Sequence, residues 1–196
     1  MSKFDLNFFR PFLSFDDTRP ALKSPFQNGI EMVASDGRIL IAVPEADVDL
    51  SIPRRNQDED RPGNVGQLFD GTEGNQQPFV SLEVLLKCRE QIPCIGCDGH
   101  GVILVWAGNG SMEQTCPDCT GSKVMFNRES PVEVGDRSVG AGYLEKIHRL
   151  PGSEIQPLRP GSEVWMEDTP MLFRFDGGRG LLMPLRPVSS PKVAKG

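Results

Sequence analysis

The chain has 196 residues, 38% of them hydrophobic and 24% charged, with 21 Gly, 17 Pro and a net charge of −6. That length holds one substantial domain or two small ones, with many loops. The acidic balance excludes a protein coated in positive charge, although a local basic surface can sit on an acidic body. No apolar run approaches the roughly 18 residues that span a bilayer.

The start, MSKFDLNFFRPFL, has an apolar patch but no signal-peptide core, so the chain reads as cytoplasmic. Phe8, Phe9, Phe12, Leu13 and Phe15 recur at roughly helical spacing, and Pro11 restricts that helix to its first turn or breaks it. Residues 29–34 and 38–43 predict two strands. Ser35-Asp36-Gly37 between them predicts a tight hairpin, because Asp-Gly tolerates positive φ. Residues 53–77 are polar, Gly-rich and aperiodic, which predicts a flexible loop. Within it Asp58-Glu59-Asp60 lies beside Arg54, Arg55 and Arg61, as a solvated charge cluster would.

Residues 79–90 predict a short helix with Leu82, Leu85 and Leu86 on one face and Ser81 as its cap. Residues 132–139 predict a short strand, and residues 141–150 an amphipathic helix. In that helix Tyr143, Leu144, Ile147 and Leu150 share one face, and Lys146 and Arg149 the other. Strands are then expected at Glu163–Glu167, Met171–Phe175 and Gly180–Leu185, with Asp176-Gly177-Gly178 as the last turn. The tail, residues 188–196, reads as disordered.

Four of the five cysteines stand in two matched pairs, Cys94-x2-Cys97 and Cys116-x2-Cys119. Two such turns bring four soft thiolates to one point, the ligand set of one structural zinc ion. With no place left for water, a catalytic zinc is not expected. Residues 102–106 form an apolar strand, Gly108-Asn109-Gly110 a turn, and residues 111–115 a returning strand, which predicts a β-hairpin with the pairs at its base. The competing readings are reduced core cysteines or a redox pair; the βαβ context of a redox pair is not visible. Cys88 reads as a buried residue of the preceding helix, and His100 as a turn residue or a further ligand candidate.

CIGCDGHG is a complete Cys-x-x-Cys-x-Gly-x-Gly unit, and CPDCTGSK nearly another, with Lys123 at the second Gly position. About thirty residues therefore resemble the cysteine-rich region of DnaJ-type co-chaperones, which carries four such units and two zincs. The J-domain and its His-Pro-Asp tripeptide are missing. The resemblance thus implies a one-zinc module rather than a co-chaperone.

The flanks are similar to another family. DTRPALKSPFQNGIEMVASDGRILIAV, with Arg19-Pro20 and Ser35-Asp36-Gly37, and FDGGRGLLMPLRP, with Met183-Pro184-Leu185-Arg186, resemble segments of bacterial sliding clamps, the DNA polymerase III beta subunit. That resemblance implies an α+β clamp-like domain of two βαβββ halves. Residues 1–52 form the first half and 127–187 the second. Residues 53–78 are the polar loop, and 79–126 are a helix plus the inserted zinc module. It further implies a phage-type accessory protein that contacts double-stranded DNA without sequence preference through Arg10, Lys146 and Arg149. Replication proteins are implied as partners, and homo-oligomers because one domain cannot encircle DNA. No nucleophile–base constellation and no phosphate-binding Gly-x4-Gly-Lys-Ser/Thr loop occurs, so a non-enzymatic role is expected. The alternative role is engagement of host proteins through the zinc hairpin.

Overall fold

The structure, a computed structural model, describes residues 4–49, 51, 65–70, 72, 75–87, 90–108, 110–158 and 169–185. The expected strand Glu163–Glu167, Cys88, the charge cluster of residues 54–61, Arg186 and the tail lie outside the described residues.

The N-terminal segment begins with α1, Leu6–Phe9, which runs on as a 3-10 turn at Arg10–Phe12. Asp5 caps it, its Oδ1 accepting from the Phe8 N–H at 3.0 Å. Pro11 lies in the 3-10 turn, where its missing N–H leaves no hydrogen bond of the preceding helix broken. Three strands follow, β1 at Phe26–Asn28, β2 at Glu31–Ser35 and β3 at Ile39–Pro44. Sequence periodicity missed β1, and it assigned to a strand Gly29 and Ile30, which instead turn between β1 and β2. Gly29 has φ +63, a backbone angle that glycine adopts without strain. The Asp36-Gly37 turn forms as expected. Gly37 has φ +88, and Asp36 Oδ1 accepts from the N–H groups of Arg38 and Ile39.

The loop expected over 53–77 is structured in part. Helix α2, Val65–Asp70, buries Val65 and Phe69, two apolar residues four apart. Asn75 and Gln77 are tied to residues 156 and 157 by side-chain hydrogen bonds of 2.7–2.9 Å. The helix expected over 79–90 is shorter: β4, Val80–Ser81, leads into α3, Leu82–Leu86. Ser81 is in the N-cap position but makes no side-chain capping bond.

The middle of the chain carries β5 (Gln91–Pro93), β6 (Val102–Ala107), β7 (Gly110–Thr115) and β8 (Val124–Phe126). Two further strands, β9 (Pro131–Val134) and β10 (Arg137–Gly140), form a hairpin where one strand was expected. Gly135-Asp136 makes the turn, with Gly135 at φ +69. The helix α4, Ala141–His148, then buries Ala141, Leu144 and Ile147 on one face. The chain closes with β11 (Glu154–Ile155), β12 (Met171–Phe175) and β13 (Gly178–Leu182).

Seven strands form one antiparallel sheet in the order β1-β2-β3-β13-β12-β11-β4. The decisive contact is β3 on β13, Ile41 opposite Gly180 and Ile39 opposite Leu182, which joins the two ends of the chain in one sheet. Each end supplies a helix followed by three strands, α1-β1-β2-β3 and α4-β11-β12-β13. Ahead of α1, Phe4 makes an isolated parallel bridge to Val48, and β10, which precedes α4, pairs with β9 outside the seven-stranded sheet.

Both faces of the sheet are covered, which explains the unbroken apolar run of β3. Ile39, Ile41 and Val43 face the main core with Phe9, Phe12, Leu82, Leu144, Ile147 and Phe173. Leu40 and Ala42 face the other way, onto Val65 and Phe69 of α2. Arg179 fastens that second layer. Its guanidinium grips Glu31 through two bonds of 3.1 and 3.2 Å and lies 4.1 Å from the centre of the Phe69 ring.

Gly180 sits opposite Phe173, and the ring lies over the glycine. A methyl group there would fall on the ring and on the Leu40 carbonyl oxygen. Gly180→Ala is therefore expected to destabilise the protein by about 1–3 kcal/mol through overpacking. Urea unfolding measures this, and an unchanged midpoint would contradict the packing described.

Candidate metal centre

The two cysteine pairs lie between β5 and β8, which pair antiparallel with Pro93 opposite Val124. The chain therefore enters and leaves this region on adjacent strands. The hairpin β6–β7 rises from it, Val102 opposite Thr115 at the base and Ala107 opposite Gly110 near the tip.

Each pair folds as a knuckle, and the two copy each other. After Cys97 the backbone takes positive φ at Asp98 (47), Gly99 (75) and Gly101 (83). After Cys119 it does so at the matching positions Thr120 (49), Gly121 (84) and Lys123 (69). The reason is local. To aim amide N–H groups back at a sulfur, the chain must turn through the left-handed region, which favours glycine. The Gly101 N–H donates to Cys97 Sγ at 3.1 Å. Cross-links bind the knuckles together: Cys94 N–H donates to the Lys123 carbonyl at 2.9 Å and Cys116 N–H to that of Gly101 at 3.0 Å. The Gly101 Cα also packs so that an added Cβ would lie 3.0 Å from the Gly121 oxygen and from Lys123 Cγ.

The four sulfurs converge. Cys94 Sγ lies 3.8 Å from Cys116 Sγ, and Cys97 Sγ 3.8 Å from Cys119 Sγ. All four lie within 4.8 Å of one another, and all four residues are buried. A disulfide needs sulfurs about 2.05 Å apart, so these are free thiols. A tetrahedron of sulfurs around one ion at about 2.3 Å has edges of about 3.8 Å, which two opposite contacts of this cluster match. The donor set therefore fits a single tetrahedral metal ion. Ile103 and Met125 pack against the cysteines.

The electrostatics suit thiolates. Burial opposes ionisation of Cys119, but the backbone N–H groups of Lys123 and Gly121, with the Cys94 and Cys97 thiols, bring its pKa down to about 7. Burial and then the neighbouring Cys97 and Cys119 sulfurs push Cys94 up to about 12. The first thiolate forms readily, and the last needs a cation in the cluster to offset the accumulated charge.

The three residues expected on DNA are placed differently from one another. Arg10 is exposed in the 3-10 turn after α1. Arg149 is exposed at the end of α4. Lys146 is engaged: its Nζ lies 3.3 Å from Asp36 Oδ2 and 4.9 Å from the centre of the Tyr143 ring. Burial, then the Asp36 charge, holds the Tyr143 hydroxyl above its usual pKa. Lys146 and Arg149 nevertheless line one depression of about 430 Å³, together with Pro11, Tyr143 and Arg128. Sequence reasoning did not single out Arg128, whose guanidinium pairs with Glu145 at 3.6 Å. His100 and His148 are both exposed, and His100 is not among the clustered metal-ligand candidates.

The flanking motifs, separated by about 150 residues of chain, meet in space. Arg19 Nη1 donates to the Asp36 carbonyl at 3.4 Å, and the Met183 N–H to the Arg38 carbonyl at 2.9 Å. Between them lies a cavity of about 210 Å³ walled by Leu22, Gly37, Leu181 and Met183.

No known protein family matches the chain, and neither does any curated protein. Among solved structures, the beta sliding clamp of C. crescentus is similar at 14% identity, over 93% of this chain, with a TM-score of 0.38. The match covers 63% of that clamp chain, so this chain spans less than two thirds of its length. No helix among the described residues is long and apolar enough to cross a membrane.

Two outcomes are expected of this centre. Metal binding must displace thiol protons, so affinity falls as the pH drops. Chelator competition should show binding at least ~10-fold tighter at about pH 7.5 than at about pH 6.5, since each proton displaced changes affinity ~10-fold per pH unit. An affinity independent of pH would contradict thiol ligation. Separately, Lys123→Gly removes left-handed strain of about 1–2 kcal/mol and adds about 0.4–1 kcal/mol of unfolded-chain entropy, a net gain of roughly 0.5–1 kcal/mol. Thermal unfolding of the metal-loaded protein checks it; a loss of stability would refute the strain argument.

Proposed function

We propose that the chain is a non-enzymatic, zinc-binding accessory protein with a sliding-clamp-like body, acting in DNA replication or related DNA transactions, and of phage type. The single structural zinc ion is held by Cys94, Cys97, Cys116 and Cys119, and the hairpin β6–β7 is a module inserted between the two halves of the body. The observation that carries the zinc part is the sulfur geometry, four buried thiols with two opposite contacts of 3.8 Å. Bound there, zinc would supply structural cross-linking; the protein itself orients the sulfurs through the Gly101 N–H and the packing of the partly buried Ile103 and Met125.

Support for the clamp-like part is that the motifs at Arg19, Asp36-Gly37 and Met183, read from separate ends of the sequence, close on one another across the β3–β13 seam. The non-enzymatic reading rests on the sequence, which contains no nucleophile–base set. The DNA-facing surface is best assigned to Arg10 and Arg149, since Lys146 already serves Asp36 and Arg128 already pairs with Glu145. Contacts there would be to phosphate alone, so no base sequence is preferred. With so few cations on a chain of charge −6, several copies must assemble to bind DNA firmly.

The test is binding to long duplex DNA at low salt. Arg10→Glu with Arg149→Glu should weaken binding, and the salt slope should fall by about 0.9 for every phosphate that is no longer neutralised. Lys146→Gln should change that slope little. A wild type that shows no DNA affinity at concentrations where it self-associates would remove the DNA reading and leave the zinc centre standing.

A further inference from the structure

The hairpin β6–β7 is apolar where an isolated hairpin ordinarily would be polar. Val102, Leu104 and Trp106 alternate along β6, so all three side chains stand on the same face. They are 40%, 69% and 81% exposed, uncovered by any of the described residues. Opposite them on that face β7 presents Thr115, Glu113 and Ser111. Among the described residues the hairpin pairs with no other strand, and every residue of β7 is exposed.

A stripe of this kind is kept in water only if something uses it. An exposed indole beside an exposed Leu is a ready anchor for a partner. The question is what covers it. The stripe offers roughly 400 Å² of side-chain surface, about half of the ~800 Å² per partner that a stable interface needs. Two copies of this chain meeting face to face through it would fall short of that area. They would also bring Glu113 of each copy into one contact, between chains of net charge −6. Nucleic acid is disfavoured by the same charges: Asp98, Glu113 and Asp118 are exposed on the module, against one cation, Lys123.

We infer that the stripe Val102–Leu104–Trp106 is a docking surface for a basic polypeptide segment, one that sets apolar side chains against Leu104 and Trp106 and Lys or Arg side chains against Glu113. The metal-held base presents the stripe already ordered, so docking costs little conformational freedom. The contact is small and therefore transient, and added salt weakens it. It stands independently of whether the body binds DNA.

The experiment is calorimetric titration of the zinc-loaded full chain with two synthetic peptides, one alternating Lys and Leu, the other Glu and Leu. The Lys-Leu peptide should bind in the micromolar range, less tightly in high salt, and the Glu-Leu peptide should not. Trp106→Ser should weaken binding at least ~10-fold. Glu113→Lys should reverse the preference between the peptides. Metal content, measured on every sample, should stay at one equivalent, which separates loss of docking from loss of the zinc centre. The inference is overturned if neither peptide binds, if both bind equally, or if Trp106→Ser leaves binding unchanged. It is equally overturned if Trp106 proves to govern self-association in sedimentation or binding to duplex DNA.

Discussion

The pairing of β3 with β13 is the constraint on which the rest depends. It joins Ile39–Pro44 to Gly178–Leu182, two segments separated by most of the chain. The ends contribute β1-β2-β3 and β11-β12-β13, and one common core draws Phe9, Met32 and Ile41 from the first end and Leu144, Phe173 and Leu182 from the second. Closing so long a connection costs chain entropy, which the excursion must offset by folding on itself. It does so at two levels. Next to the body, α3 and the β9–β10 hairpin give Leu82, Leu86, Val132 and Val139 to the common core. Further out, where apolar residues are few, β5 pairs with β8 and four sulfurs meet.

The division of labour follows from burial. The body is stabilised by two apolar layers on either face of one sheet. The cysteine module has almost no core: among the described residues, Ile103 and Met125 are the partly buried hydrophobics packed around the cysteines. A region so poor in buried surface cannot offset its own ordering entropy without a cross-link. The buried four-sulfur cluster suits a soft cation, with the Cys119 thiol held down to about 7 and the Cys94 thiol pushed up to about 12. What the cysteine base carries is a hairpin with an exposed apolar stripe, which is a liability unless it is a contact surface.

How much of this was legible in the sequence depended on whether the signal was local. The Asp36-Gly37 hairpin, the turn beginning at Asp176, α4 and the four cysteines are short-range patterns, and the structure has them. The knuckle glycines were readable too, and Lys123, taking φ +69 where a glycine was missing, shows how firmly the backbone path is imposed. What escaped was set by tertiary demand. Helix α2 has only Val65 and Phe69 to announce it inside a polar stretch; it forms against Leu40, Ala42 and Leu181, a sheet face that needs cover. Strand β1 is three residues long and exists through its register with β2. The β9–β10 turn at Gly135-Asp136 was passed over although Gly-Asp is an ordinary turn pair. Lys146 looked like a free helix cation because its partner, Asp36, is 110 residues away in sequence. The exposure of Trp106 was likewise invisible, since an apolar alternation says that a face is apolar and not whether anything packs on it.

The central claim is that one metal ion, bound by all four cysteines, organises the module. X-ray absorption at the zinc edge of protein loaded with one equivalent tests it most directly. The account predicts a single shell of four sulfurs at about 2.3 Å. A shell containing nitrogen or oxygen, or fewer than four sulfurs, would contradict it.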